Sequence, residues 1–169
     1  VSHQPLRKVE QVQAFYQGKP TYHPQMTPGK PYDKGVRKDQ LTDVYGDFKP
    51  VRVRSVTGDR HPTDSLYFRT AESEGPVWHG AQKPLEMAEY FIRTYTDPDD
   101  LVVDPAMGSG TFLLAADRLG RRGVGVDLRA SDVQTARTRL AVDRALRPLT
   151  GKLSEALYYQ TLASLGVPA

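Results

Sequence analysis

The run Leu101-Val102-Val103-Asp104-Pro105-Ala106-Met107-Gly108-Ser109-Gly110-Thr111 constrains the fold more than any other segment, because an apolar strand, a glycine turn and a helix start follow in direct succession. The lack of alternation in Leu101 to Val103 predicts a strand covered on both faces. Thr111 to Leu119 then reads as a helix ended by Gly120, and Gly123 to Leu128 as a second strand. Strand, helix and strand in that order make one βαβ unit with a right-handed crossover, so the fold class is α/β. Ligands of such units bind outside the carboxyl ends of the strands, where the first loop meets the helix N-terminus. Asp104, Gly108 and Gly110 fall in that loop. Asp127 closes the second strand 23 positions after Asp104 (127 − 104), near the ~20-residue offset at which an acid reaches a ribose diol. The pattern implies a nucleoside-containing ligand.

The phosphate-binding versions of this turn fit poorly. A dinucleotide fingerprint needs a third glycine where Leu113 stands, and a phosphate loop needs Gly-Lys-Ser/Thr, which the chain lacks. Upstream, Pro84 suits the first turn of a helix whose apolar residues Ala88, Phe91, Ile92 and Tyr95 recur at helical spacing until Asp97-Pro98 stops it. Ser131 is the expected N-cap of a helix running to about Leu146, and Leu153 to Leu165 reads as a final one. Val9 to Tyr16 and Ser65 to Thr70 read as strands, and Val51 to Val56 as a strand with Arg52 and Arg54 on one face.

Charge is distributed unevenly. Between Lys19 and Arg69 there are ten Lys/Arg against six Asp/Glu, leaving thirteen against fourteen elsewhere, so all the excess of the +3 net charge sits in one segment. Six of the thirteen prolines lie there too, which predicts an irregular, basic, exposed module suited to a polyanion such as nucleic acid. The absence of cysteine excludes disulfides and thiolate sites, and His3, His23, His61 and His79 show no metal-ligand spacing. No segment of the sequence is long and apolar enough to span a membrane, and Val1 to Glu10 lacks the apolar core of a secretory signal, so a cytoplasmic protein without a metal is expected.

His79-Gly80-Ala81-Gln82-Lys83-Pro84 is similar to the pattern His-Pro-Thr-Gln-Lys-Pro, and Asp104 to Thr111 to Asp-Pro-Phe-Met-Gly-Ser-Gly-Thr. With Leu119-Gly120-Arg121-Arg122 and an acidic strand end following, the chain up to about residue 145 resembles the bacterial and phage DNA amino-methyltransferases that modify adenine N6 or cytosine N4. Lys19-Pro20-Thr21-Tyr22-His23-Pro24-Gln25-Met26-Thr27 resembles adenine-specific members.

The resemblance implies a Rossmann-like methyltransferase fold, here incomplete, and S-adenosylmethionine as cofactor. Asp104, Pro105, Ala106, Met107, Gly108, Ser109, Gly110 and Thr111 would surround its methionine part, Asp127 would accept from the ribose, and Gln82, Lys83 and Pro84 would line the carboxylate end. Residues 1–18 would join the methyltransferase core, 19–78 would form the target-recognition segment, 79–146 the cofactor core and 147–169 a C-terminal helix. Within the recognition segment Lys30, Lys34, Arg37, Lys38, Arg52, Arg54, Arg60 and Arg69 are the candidates for contact with double-stranded DNA, mostly through phosphates. Three residues depart from the family pattern: Ala106 replaces an aromatic ring, Ala81 a hydroxyl, and Asp127 a longer glutamate. A lost aromatic contact costs ~1 to 3 kcal/mol where nothing refills the space.

The family's catalytic Asp/Asn/Ser-Pro-Pro-aromatic segment, which holds a flipped-out base by its amine and ring, has no counterpart, since the sequence contains no Pro-Pro pair. No catalytic residue is assigned for that reason. The expectation is a site-specific adenine methyltransferase of restriction-modification type working with a second chain that carries the catalytic half. The competing readings are a DNA-binding or regulatory remnant that no longer methylates and, disfavoured by Leu113, a nicotinamide-binding module.

Overall fold

Leu85–Tyr95 forms helix α1 for reasons that are local. Pro84 sits at its N-cap, where a missing N–H is harmless, and Ala88 and Ile92 recur on one face, which is buried. Its open backbone N–H groups are met from outside the element: the Glu74 carboxylate accepts from Leu85 N at 2.5 Å and Glu86 N at 2.9 Å. The turn Asp97 to Asp100 ends the helix, with Asp99 at φ 66°. The computed structural model describes residues 9–37 and 50–149 of the chain. Lys38 and the helix expected over Leu153 to Leu165 lie outside the described residues.

The strand Leu101–Asp104 (here β3, after β1 Tyr32–Arg37 and β2 Val51–Ser55) pairs in parallel with β4, Arg122–Gly125, and α2, Thr111–Arg118, crosses between them. Val103 is opposite Val124 and Asp104 opposite Gly125. The expected βαβ unit is present. Helix α3 follows over Ala130–Leu146. Val102, Leu85, Phe112 and Leu119 pack against the buried Ala88, Ile92, Ala115 and Ala116, while Leu113, Met107, Ala136, Val133 and Leu140 make the neighbouring part of the core. Thus α1, α2 and α3 lie on the Val102 side of the sheet.

The other side is bare, which corrects the expectation of a strand covered twice. Leu101 is 51% exposed, Val103 59%, Val124 49%, Val126 57%, and Leu128 fully so. The apolar run forms the expected strand, but no layer among the described residues covers its second face. β4 also ends sooner than the sequence pattern implied, so Asp127 stands in the loop beyond it rather than at its end. Glycine explains the tight helix–strand contact: a Cβ on Gly125 would lie 2.3 Å from Met107 Sδ and 2.5 Å from Leu113 Cδ1.

Two expected strands are absent. Val9 to Tyr16 has no ladder partner among the described residues and exposes Val9, Val12, Phe15 and Tyr16; β-forming side chains without a neighbouring edge do not make a strand. Ser65 to Thr70 runs without pairing, anchored by Phe68 against Tyr90 and Phe91 at ring distances of 5.7 and 6.5 Å. Ser131 is not the N-cap of α3 either, since the helix already starts at Ala130 and Arg129 occupies the cap.

The β1–β2 pair is antiparallel, with Arg54 opposite Asp33 and Arg52 opposite Val36, and Thr27 and Arg60 add an isolated bridge. The expected strand over 51–56 is therefore present as β2. His23 ties this region to the core: its backbone N–H donates to Thr94 O at 2.8 Å and its Nε2 lies 2.7 Å from Asp97 Oδ1. No helix among the described residues is long and apolar enough to cross a membrane.

Candidate functional site

The loop after β3 is laced to the backbone beyond β4. Val126 N donates to Asp104 O at 2.9 Å and Met107 N to Val126 O at 3.1 Å, so the parallel pairing runs past both strands. Asp104 Oδ1 accepts from Ala106 N at 3.1 Å, a local turn that tightens the path. Gly110 then adopts φ 73°, a left-handed conformation that hands the chain to α2, and a Cβ there would come within 2.9 Å of Ala136.

Asp127 faces this loop. Its Oδ2 accepts from Gly108 N at 2.9 Å and its Oδ1 from Arg129 N at 3.1 Å. The Arg129 amide, followed by the Gly108 amide, holds the carboxyl below the usual carboxylate range. It is ionised at neutral pH, acts only as an acceptor, and keeps lone pairs beyond the two in use. An acidic acceptor and a glycine elbow at the carboxyl ends of paired parallel strands form the corner at which nucleosides bind in such units.

The other expected cofactor residues divide into two groups. Pro105 and Ala106 are exposed, and Gly108 is half-buried. Met107 points into the core, 8% exposed against Leu113 and Ala136. Ser109 and Thr111 are buried and turn toward Arg139, a residue of α3 that the sequence reading did not single out. Arg139 Nη1 donates to Ser109 Oγ at 3.1 Å and to Thr111 Oγ1 at 2.8 Å. Ser109 Oγ donates in turn to Gln82 Oε1 at 3.1 Å, which also accepts from Trp78 N at 3.0 Å. Nothing in a helix pattern of charged and apolar residues marks one arginine as inward-facing, so this connection was not legible beforehand.

Gln82, Lys83 and Pro84 border a cleft of about 1020 Å³ that extends past Arg69, Tyr90, Phe91 and Phe112 to Val9 and Glu10. Lys83 Nζ pairs with Glu10 Oε2 at 2.7 Å across it. The loop residues Asp104 to Thr111 and Asp127 lie outside this cleft's lining. His79 stands beside the loop: its ring lies against Gly108, and Arg129 links it, through Nη2 at 2.8 Å from His79 Nε2, to the Asp132 carboxylate at 2.8 Å from Arg129 Nε.

The basic candidates also divide. Arg52 forms a bidentate pair with Asp33, and Arg60 stacks on Tyr32 at 4.2 Å while donating to Lys30 O at 3.1 Å and to Gly58 O. Both therefore help to hold the β1–β2 module together. Lys34 lies 5.4 Å from the Tyr32 ring centroid. Lys30, Lys34, Arg54 and Arg69 are exposed, and Arg37 belongs to β1.

Residues 3–138 match the model of a family described as DNA methylase, and the chain belongs to that family. It is 30% identical over 145 residues to the type II methyltransferase M.EcaI of Enterobacter cloacae, covering 79% of this chain and 32% of that protein. To the type II methyltransferase M.HindIII of Haemophilus influenzae it is 37% identical over 75 residues, 44% of this chain and 24% of the relative. The crystal structure of an M1.HpyAVI–SAM complex aligns with 44% identity over 37% of this chain and 32% of that one, at a TM-score of 0.36. The chain spans about a third or less of the length of these curated relatives.

Proposed function

We propose that these residues are the S-adenosylmethionine-binding and DNA-recognition part of a site-specific DNA methyltransferase acting on adenine N6. The observation that carries this reading is the Asp127 carboxylate bonded to Gly108 N at 2.9 Å, which sets an ionised acceptor beside the glycine loop of a chain in the DNA methylase family. Asp127 would take the ribose hydroxyls, the Asp104 to Gly110 loop the methionine part, and Gln82, Lys83 and Pro84 the carboxylate end. The sulfonium group supplies an activated methyl for the amine. Among the described residues Lys30, Lys34, Arg54 and Arg69 are exposed candidates for phosphates, and Arg37 and Lys38 belong to the same set, whereas Arg52 and Arg60 act in the module's own architecture.

The segment that grips the base lies outside these 169 residues, since no Pro-Pro pair occurs in them. The bare face formed by Leu101, Val103, Val124, Val126 and Leu128 supports this part of the reading, because it is the surface that further strands and helices of an α/β sheet would cover. The partner is a polypeptide bearing Asp-Pro-Pro-Tyr, either continuous with this one or separate from it. The preference for adenine rests on the Lys19 to Thr27 resemblance.

Calorimetry with S-adenosylmethionine tests the cofactor assignment, with NAD as the control ligand. Saturable binding of the first, weakened about tenfold or more in Asp127→Ala, is expected from the loss of charged hydrogen bonds; equal affinity in the variant, or preference for NAD, overturns it. Co-expression with the Asp-Pro-Pro-Tyr half followed by nucleoside mass spectrometry tests the target base. N6-methyladenine is expected, and N4-methylcytosine alone would overturn the adenine assignment.

A further inference from the structure

The loop between β3 and α2 contains two glycines in left-handed conformations, Gly108 at φ 49° and Gly110 at φ 73°. Such a backbone has more freedom to lose than any other sequence, so its native path has to be imposed from outside. Asp127 fixes one end through Gly108 N. At the other end α2 begins without a side-chain cap, because Gly110 occupies the N-cap. The first side chain of the helix, Thr111, is held instead by a residue 28 positions away, Arg139.

Arg139 is 7% exposed, and the groups it meets are buried as well: Ser109 at 2% and Thr111 at 4%. One nitrogen, Nη1, reaches Ser109 O at 3.3 Å, Ser109 Oγ at 3.1 Å and Thr111 Oγ1 at 2.8 Å, gripping both the backbone and the side chains of the turn. From Ser109 Oγ the chain of donors continues to Gln82 Oε1 at 3.1 Å. Two stretches far apart in sequence are thereby referred to one guanidinium: the glycine turn running into the start of α2, and the loop before α1. Hydrogen bonds from an ionised donor in a water-poor surrounding are stronger than neutral ones and polarise the hydroxyl they reach.

We propose that Arg139 is the positioning residue of the glycine turn, holding Ser109 and Thr111 inward so that the turn and Gln82 keep one fixed arrangement for the ligand at the Asp127 corner. The ligand part of this statement rests on the cofactor reading above; the positioning part does not. Arg139 touches no ligand in this role and acts through Ser109, Thr111 and Gln82.

The experiment is amide hydrogen exchange by mass spectrometry on the whole chain, paired with S-adenosylmethionine titration. In Arg139→Met, exchange is expected to rise across residues 105–112 while α1, Leu85–Tyr95, keeps its protection. Arg139→Lys, whose ammonium still donates to both hydroxyls, is expected to restore part of it. Affinity for S-adenosylmethionine should fall roughly tenfold, as for one charged hydrogen bond to a binding loop. Unchanged exchange in the turn, or a uniform rise across the chain, overturns the proposal. Should Arg139→Met fail to fold, Thr111→Val and Ser109→Ala each remove one acceptor and are expected to show the same local rise, whose absence overturns it equally. If the native chain does not bind S-adenosylmethionine, the cofactor reading fails while the exchange pattern still decides the role of Arg139.

Discussion

Gly125 shows how one side chain fewer sets the position of a helix. Its missing Cβ leaves room for Met107 Sδ and Leu113, so α2 lies close on β4 and the loop residue Met107 can enter the core. Gly125→Ala is expected to cost about 1 to 3 kcal/mol by overpacking, read as a lower urea midpoint with an unchanged slope. Met107→Ala should cost less in this background than in the native chain, since it removes Met107 Sδ, one of the two atoms, with Leu113 Cδ1, that a Cβ at position 125 would meet. Strict additivity of the two substitutions would refute the packing account. The sequence places this glycine inside the expected strand Gly123 to Leu128, but does not show which side chains meet it across the fold. Asp127 behaves similarly: its acid character was legible, whereas its place in the loop after β4 depends on where the ladder stops.

At the scale of elements, α2 and α3 are clasped by charges that the helix pattern presents as ordinary surface. Arg144 Nε donates to Asp117 Oδ1 at 3.1 Å and Arg147 Nη2 to Asp117 Oδ2 at 2.6 Å, while Arg118 and Arg147 converge on Asp143. The Arg144 hydrogen bond, against some burial, holds the Asp117 carboxyl below its ordinary range. Burial pushes Asp143 upward, and Arg118 and Arg147 together more than offset it, leaving that group lowered too. A carboxyl depressed in the folded state stabilises above its unfolded value near 3.8 and loses that contribution as pH falls through the folded value. Asp117→Asn is accordingly expected to be about 1 kcal/mol less stable than the native chain at pH 6, with the gap closing below about pH 4. A gap independent of pH in urea unfolding would remove the ionic explanation.

For the molecule as a whole, the decisive feature is that, among the described residues, three helices crowd one side of the β3–β4 sheet and leave the other apolar and open. An uncovered sheet face with free strand edges favours association. The chain on its own is expected to self-associate, and Val103→Lys with Val126→Lys is expected to reduce this in light-scattering chromatography while leaving the unfolding free energy within about 0.5 kcal/mol, as at exposed sites. A large drop in that free energy would mean that the face is already buried in solution. The same substitutions should weaken capture of the Asp-Pro-Pro-Tyr half.

The sequence by itself determined the α/β class, the βαβ unit, helix α1 with its Pro84 start, the glycine elbow and the family, because these are written in short-range periodicity, turn residues and contiguous motifs. It misread Val9 to Tyr16 and Ser65 to Thr70, since β-propensity describes a side chain's fit to a sheet and says nothing about whether an edge is there to receive it. Only the tertiary structure decided that Arg52 and Arg60 are engaged within the basic module, that Ser109 and Thr111 turn inward to Arg139, and that one face of β3 and β4 stands open. Each of these depends on which residue meets which across tens of positions, and such meetings follow from the packing of whole elements rather than from the local order of the chain.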